Sequence, residues 1–339
     1  MSTGTPVVVG IDNGGTKTNA TVLSLDGTFL VDRMHEVPSR VSEGPAAAIE
    51  AMVEAMDRAL VAAGVDASQV VAVGLDTPGP ASAEGVISSM GATNFSQPAW
   101  RGFDIRSGLA DRIGLPVVYN NDGNAAALYA HHVHFGGRAA ETSSISAIVG
   151  TGLGGGVIEA GKVVRGASGQ AGELGHIRLP FDGILETDQP MPTCACGNRG
   201  DVESVASLTG IVRNLLPYWL SKYPDHPLAS EPLADAAKDV RTYGERGDPL
   251  ARRLFEQQAM VLGRLFTVAA NFTDPAAYFV GGGVVEADPA FGAWFLATVR
   301  EHTELRDEQA AIAEFALVPD LDMAGARGSA VAALASLAT

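Results

Sequence analysis

Basic residues are scarce in this 339-residue chain. Its 23 Lys plus Arg, of which only four are lysines, face 39 Asp plus Glu, for a formal net charge of −16. No basic run occurs anywhere. Nucleic acids and anionic membrane surfaces recruit clustered cations, so neither is expected as a partner. Cysteine is nearly missing as well. Cys194 and Cys196 are the whole thiol inventory; their spacing would strain a bridge, and two cysteines make no secreted disulfide framework. No apolar run reaches the roughly 18 residues that a membrane span needs. Met1 to Pro6 carries no charged or cleavable leader, so a reducing cytoplasm is the expected location.

What is present is a folding composition, with 46% hydrophobic and 18% charged residues. The length suggests about two domains, with enough buried surface to fold without disulfides or metal. The β-branched run Val7–Ile11 predicts a strand ending on Asp12-Asn13-Gly14-Gly15-Thr16. Thr18–Leu25 predicts its partner, closed by the hairpin signal Asp26-Gly27 and followed by a strand at Phe29–Val31. Ile49, Met52, Val53, Met56 and Leu60 recur at helical spacing between Pro45 and Gly64. Val70–Leu75 reads as a strand, 103–113 as a helix, Pro116–Tyr119 as a strand and Ala125–Phe135 as a helix. A second series follows: a strand at Ile145–Val149, a glycine-rich turn at 150–156 that opens a hairpin, and a Pro- and Gly-rich loop at 177–200. Long helices are expected near 201–222 and 250–272, a strand at Phe279-Val280 and a helix at 327–337. Alternating strands and helices make this an α/β protein with two lobes. The acidic residues of 231–248 read as a solvated surface.

Three segments are suited to ligand chemistry. In the first, Asp12 to Lys17, small residues let the backbone approach a phosphate, and the Asp12 carboxylate suits a magnesium-bound water. Thr16 separates Lys17 from the last glycine, so this is no Walker loop, and a plain hairpin turn accounts for the spacing equally well. The second, Gly150 to Gly156, contains GxGxxG but opens a hairpin and not a helix, so it is no dinucleotide fingerprint. The entropic cost of so many glycines favours phosphate contact over a structural turn. Gly281–Gly283 could admit a flat nucleoside or could cap a helix. The third segment is Asn120-Asn121-Asp122, between a strand and a helix. A carboxylate there can take the proton from a substrate hydroxyl as phosphoryl transfer begins, although helix capping is the commoner fate of such residues. His131, His132 and His134 read as a solvated helix face in preference to a metal pair.

Read together, these segments resemble the ROK family of sugar kinases in the actin-like ATPase superfamily. The resemblance rests on DNGGTK at 12–17, TPGP at 77–80, Asn94 with Trp100, NNDGNAAAL at 120–128 and GTGLGGG at 150–156, and continues through GQAGELGH at 169–176, CACGNRGDVE at 194–203 and FVGGGV at 279–284. It implies a two-lobed actin-like ATPase (ribonuclease H-like) fold with ATP and sugar in a cleft between a small lobe, residues 1–120 plus about 322–339, and a large lobe, 121–321. By the same resemblance Asp122 is the general base for the sugar 6-hydroxyl. Gly79, Asn94, Asn121, Glu173, His176 and Glu203 hold the other hydroxyls. Asp12, Gly14, Gly15, Thr16, Lys17, Thr151 and Gly152 line the phosphates, with Gly282 and Gly283 at the adenosine. Mg²⁺ is the expected companion of ATP, and a homodimer or homotetramer the expected assembly.

One position departs from the family pattern. A structural zinc is expected on the His of the GH pair and three cysteines, but Asp201 stands where the third cysteine would be. His176, Cys194, Cys196 and Asp201 can still bind zinc, more weakly than a three-cysteine set; the alternative is a hydrogen-bonded loop in which Asp201 caps the following helix. The loop from Ile177 to Thr193 is longer than the resemblance leads one to expect and could reshape sugar choice. The expected function is ATP-dependent phosphorylation of a glucose-like hexose. The alternatives are a kinase for an N-acetylhexosamine, mannose, fructose or allose, use of polyphosphate as donor, or a non-catalytic sugar sensor. The sensor would need a DNA-binding module ahead of Asp12, for which the eleven preceding residues leave no room. A structural actin-like ATPase is disfavoured by the sugar-type segments at 169–176 and 194–203.

Overall fold

The computed structural model describes residues 4–79, 81–87, 95–283 and 286–338. Two compact units emerge, the first from 1–140, 156–172 and 319–339, the second from 141–155 and 173–318.

The first unit is built on a five-stranded sheet of order β3-β2-β1-β4-β5. Its strands are β1 (Val7–Asn13), β2 (Lys17–Ser24), β3 (Val37–Pro38), β4 (Val70–Thr77) and β5 (Val117–Asn121). β1 runs antiparallel to β2 and parallel to β4, which is parallel to β5. The two-residue period of a strand sorts the side chains of β1. Val7, Val9 and Ile11 enter one core with Ile49, Met52, Ala55 and Leu60 of α1 (Pro45–Ala63) and Ile105 and Leu109 of α2 (Ile105–Ile113). Val8 enters the opposite core with Ala127 and Leu128 of α3 (Asp122–Phe135) and with Ala330 and Ala333 from the C-terminal end of the chain. Helix α1 ends where the sequence marks it, on Gly64 in the left-handed region at φ 66°. The third strand is not Phe29–Val31. Phe29 makes only an isolated bridge to Leu23, and the sheet edge is taken by Val37–Pro38. Trp100 is a core residue: it is buried, donates from Nε1 to the Val41 carbonyl at 2.8 Å, and has Phe95 and Phe103 edge-on.

In the second sheet, of order β10-β9-β6-β7-β8, the strands are β6 (Ser144–Val149), β7 (Leu153–Glu159), β8 (Lys162–Val163), β9 (Ala277–Gly281) and β10 (Glu314–Leu317). β6, β9 and β10 are parallel, and β7 and β8 form the hairpin expected at Ala160-Gly161. The expected helix near 201–222 is broken. Residues 201–207 are turns; α4 (Leu208–Gly210) starts on a Ser207 cap, a π-helical turn spans Ile211–Leu215, and α5 is Leu216–Lys222. Ser204 N bonds back to Asp201 Oδ1 at 3.0 Å, which favours a turn over a helix, and Pro217 supplies no N–H to the ladder. The stretch holding the acidic residues forms α6 (Leu233–Glu245); Asp235 and Asp239 are exposed, as expected of a solvated face, and the buried stripe is Ala236, Ala237, Val240 and Gly244. The remaining helices are α7 (Pro249–Thr273), α8 (Pro289–Glu301), α9 (Asp307–Ala310) and α10 (Leu321–Ser336), the last of these returning to the first unit.

Helix α10 lies directly on the backbone of its neighbours. A methyl group at Gly74 would stand 1.8 Å from the Ser329 carbonyl oxygen, one at Gly10 would stand 1.9 Å from that of Ala326, and one at Gly328 would stand 1.8 Å from that of Ala125 in α3. Gly74→Ala should therefore lower unfolding stability by about 2–3 kcal/mol in urea denaturation. Gly137→Ala, where nothing lies within 4 Å, should change it by less than about 0.5 kcal/mol. Equal stability of the two variants would contradict the close approach of α10.

Candidate functional site

In the first unit, three carboxylates gather at the carboxyl ends of β1, β4 and β5. DNGGTK is the tip of the β1–β2 hairpin, closed by Gly14 N donating to the Lys17 carbonyl at 2.9 Å and Thr18 Oγ1 donating to Asn13 Oδ1 at 2.8 Å. Gly14 and Gly15 are half-buried, while Thr16 and Lys17 are exposed. The Lys17 ammonium is engaged by Glu36. Asp12 stands in register with Asp76 on β4, a residue that sequence reasoning passed over. The available signal was its place directly before the TPGP turn. Asp76 is fully buried and accepts from Ser329 Oγ at 2.8 Å. Burial pushes its carboxyl well above the usual range, and the charge of Asp12 adds to that. Burial raises Asp12 too, with the Asp76 contact opposing. Neighbouring carboxylates oppose each other's ionisation, and the fully buried Asp76 is pushed further toward its protonated form than the partly buried Asp12.

At the end of β5 the capping role falls to Asn121, whose Oδ1 accepts from Asn124 N at 3.1 Å. Asp122, the first residue of α3, is exposed and accepts from Gly123 N at 2.7 Å. The position a Cβ would take at Gly79 lies 3.6 Å from Asn121 Nδ2, so Gly79 and Asn121 are brought together, with Asp122 next to Asn121 in the chain. Asn94 lies outside the described residues, as does Pro80 of the same turn. His131 departs from the expected solvated face. It is fully buried, its Nε2 meets the Ala139 carbonyl at 2.8 Å, and burial pushes its pKa down.

In the second unit the two glycine turns end neighbouring parallel strands, where ligands of α/β sheets bind. Ile148 of β6 is paired with Gly281 of β9. The Gly150–Gly152 turn is braced by Leu208 N donating to the Gly150 carbonyl at 2.9 Å, and by Thr209 Oγ1 donating to that of Thr151 at 2.8 Å. Gly282 has φ +98°, and a Cβ there would fall 2.1 Å from the Val149 carbonyl oxygen, which only glycine allows. Between the turns opens a cavity of about 310 Å³ whose walls include Val149, Thr151, Ile211, Phe255, Arg241 and Gly283. Neither Phe255 nor Arg241 carried a sequence signal, because both are ordinary helical residues until the fold aims them inward.

The segments that carry Glu173, His176 and Glu203 are neighbours in the second unit. Glu203 N donates to the Gly175 carbonyl at 2.8 Å, and Val202 N donates to that of Ile177 at 3.0 Å, so the 173–176 turn lies against 202–203. Glu203 Oε2 accepts from Leu153 N at 3.0 Å, and Oε1 from the Cys194 thiol at 3.2 Å. One carboxylate thus ties the glycine loop to the cysteine loop.

Among the described residues, one group of His, Cys and carboxylate ligands could hold a metal: His176, Cys194, Cys196 and Asp201, with ligand atoms all within 4.8 Å of one another. The two sulfurs are 3.1 Å apart, and Asp201 Oδ2 lies 3.6 Å from Cys196 Sγ and 3.6 Å from His176 Nδ1. Tetrahedral zinc with its usual bond lengths sets ligand separations of about 3.3–3.8 Å, so the donor set fits with small adjustments. Asp201 Oδ1 accepts from Ser204 N, while Oδ2 faces the cluster. Asp201 does not cap α4, which Ser207 does. Burial pushes the Cys194 thiol up, so binding a cation there must release a proton. The 177–193 loop is pinned: Gln257 Nε2 donates to the Ile184 carbonyl at 2.9 Å and to Gln189 Oε1 at 2.6 Å, and Leu179, Phe181 and Ile184 are buried.

Comparison with known proteins agrees with this architecture. The model of the ROK family matches residues 8–336. A glucokinase from Streptomyces coelicolor is 32% identical over 286 residues, covering 82% of each chain. Among solved structures, the ROK hexokinase from Thermus thermophilus has a TM-score of 0.75 at 32% identity, over 98% of this chain and 99% of that one. A ROK family glucokinase from Streptomyces griseus, in complex with glucose and AMPPNP, has a TM-score of 0.68 at 30% identity, over 96% and 99%. The two mixed sheets with their helices are those of the actin-like ATPase fold of ROK sugar kinases, and the chain belongs to the ROK family.

Proposed function

We propose that the protein transfers the γ-phosphoryl group of Mg·ATP to the 6-hydroxyl of a hexose, with glucose the first candidate and Asp122 the general base. The observation that carries this reading is the division of labour at the start of α3: Asn121 caps the helix and lies against Gly79, while Asp122, the first helical residue, keeps its carboxylate at an exposed position. Its likeness to glucokinases from Streptomyces coelicolor and Halalkalibacterium halodurans, each 32% identical, supports a sugar kinase. The Thermus thermophilus hexokinase and the glucose- and AMPPNP-bound Streptomyces griseus enzyme support the pairing of sugar with nucleotide.

The chemistry asks little of the protein beyond positioning and charge neutralisation. Asp122 accepts the hydroxyl proton as the oxygen attacks the γ-phosphorus and the bond to ADP breaks. Gly79, Asn94, Asn121, Glu173, His176 and Glu203 orient the sugar, whose hydroxyls both donate and accept. Asp12, Gly14, Gly15, Thr16, Lys17, Thr151 and Gly152 serve the phosphates, and the Asp12 carboxylate would accept from a water on the Mg²⁺ that accompanies ATP. Gly282 and Gly283 serve the adenosine. The 310 Å³ cavity, with its apolar Val149, Ile211 and Phe255 walls, favours a nucleoside triphosphate over polyphosphate, which has nothing to bury there. His176, Cys194, Cys196 and Asp201 would hold a structural zinc, which would supply a cross-link for the 176–201 loop.

Asp122→Asn should lower kcat by about 100-fold or more while the sugar dissociation constant stays within a few fold. Near-normal turnover in ADP-release assays would refute the base assignment. Metal analysis of purified protein should give close to one zinc per chain, and Cys196→Ser should lose it; a stable wild-type protein that carries no zinc would overturn the metal assignment.

A further inference from the structure

Helix α6 presents Arg241 to the nucleoside-sized cavity, and nothing in the kinase reading uses this residue. Arg241 Nη1 donates to the Gly283 carbonyl. One turn later on the same helix, Glu245 Oε1 accepts from Asp288 N at 3.3 Å and lies 3.8 Å from Arg241 Nε. The two side chains thus grip the chain at Gly283 and Asp288, on either side of the segment that leads from β9 into α8. Gly283 has no side chain with which to anchor itself, and its neighbour Gly282 sits at φ +98°. A turn of this kind is loose unless something external holds it. Arg241 supplies that hold with a planar, multiply donating cation, and the residue also lines the cavity beside Val149, Thr151 and Phe255.

We propose that Arg241 is the nucleotide-positioning residue of this protein: by fixing the Gly283 carbonyl at the edge of the cavity it lines, it sets the affinity for the purine nucleotide and not for the sugar. This rests on the kinase reading, because the ligand it positions is the phosphoryl donor. A flat aromatic base can stack on a guanidinium plane, and a charged donor held in a geometry that spans two acceptors loses little entropy on binding.

The test is calorimetric titration of Mg·ATP into wild-type protein, Arg241→Ala, Arg241→Lys and the surface control Arg246→Ala, all without sugar, followed by steady-state kinetics. Arg241→Ala should weaken Mg·ATP binding about tenfold or more, as expected for losing a charge-assisted hydrogen bond. Arg241→Lys, which keeps the charge but not the fork, should recover only part of this. The KM for ATP should rise in step, while kcat and the KM for sugar stay within about twofold. Unchanged Mg·ATP affinity in a folded Arg241→Ala protein would overturn the proposal and leave the kinase reading intact. An equal loss in Arg246→Ala would reduce the effect to net charge and likewise overturn it. Failure of the wild-type protein to bind Mg·ATP at all would remove both.

Discussion

The first unit depends on how closely the C-terminal helix α10 can approach its sheet. Gly10 and Gly74 leave β1 and β4 bare where α10 crosses them, and Gly328 lets the same helix touch the backbone of α3. A Cβ at any of these positions would meet a carbonyl oxygen at under 2 Å, closer than any repacking of side chains could relieve. The consequence reaches the chemistry within two residues. Asp12 follows Gly10 and Asp76 follows Gly74 by that distance along their strands. Gly325 lies against the Asp12 carboxylate, and Ser329 holds Asp76. The helix that seals the sheet therefore also sets the carboxylates at its end. Glycine in a strand costs backbone entropy, and here that cost is offset by a helix packed without side chains in the way.

The second unit uses a different device, a single residue, Glu203, bonded to three segments. Glu203 accepts from Leu153 N and from Cys194, while its own N–H reaches the Gly175 carbonyl. The glycine loop, the 173–176 turn and the cysteine loop are therefore not independent. Cys194, one of the candidate metal ligands, is bonded directly to Glu203. The pinned 177–193 loop adds to this: Gln257 and the buried Leu179, Phe181 and Ile184 hold it as part of the scaffold.

Much of this arrangement was legible from the chain itself. Strands ending on glycine-rich turns, the Pro45–Gly64 helix with its terminal glycine, and the Ala160-Gly161 hairpin follow from local chemistry, and the structure has them. The motif order led to the ROK family, which the comparisons bear out. What local reasoning missed depends on partners distant in sequence. Asp76 matters because β4 lies beside β1, and Arg241 because α6 crosses the end of β9; neither neighbour is visible from their own flanks. His131 reads as a polar helix face until Ala139 buries it. The helix expected at 201–222 failed because Asp201 and Ser204 spend their bonds on a turn and Pro217 interrupts the ladder. Phe29–Val31 has strand-like residues, yet the sheet edge went to a segment with a proline, a residue tolerated at edges because its missing N–H costs no ladder bond there.

The central claim is that a sugar hydroxyl, and not water, receives the phosphoryl group. Phosphorus NMR of a reaction containing Mg·ATP and glucose measures this directly. The account predicts a sugar 6-phosphate resonance growing in step with ADP, with little free phosphate. ADP accompanied by inorganic phosphate at a rate indifferent to sugar would contradict it, because the protein would then be an ATPase that does not distinguish a hexose from solvent.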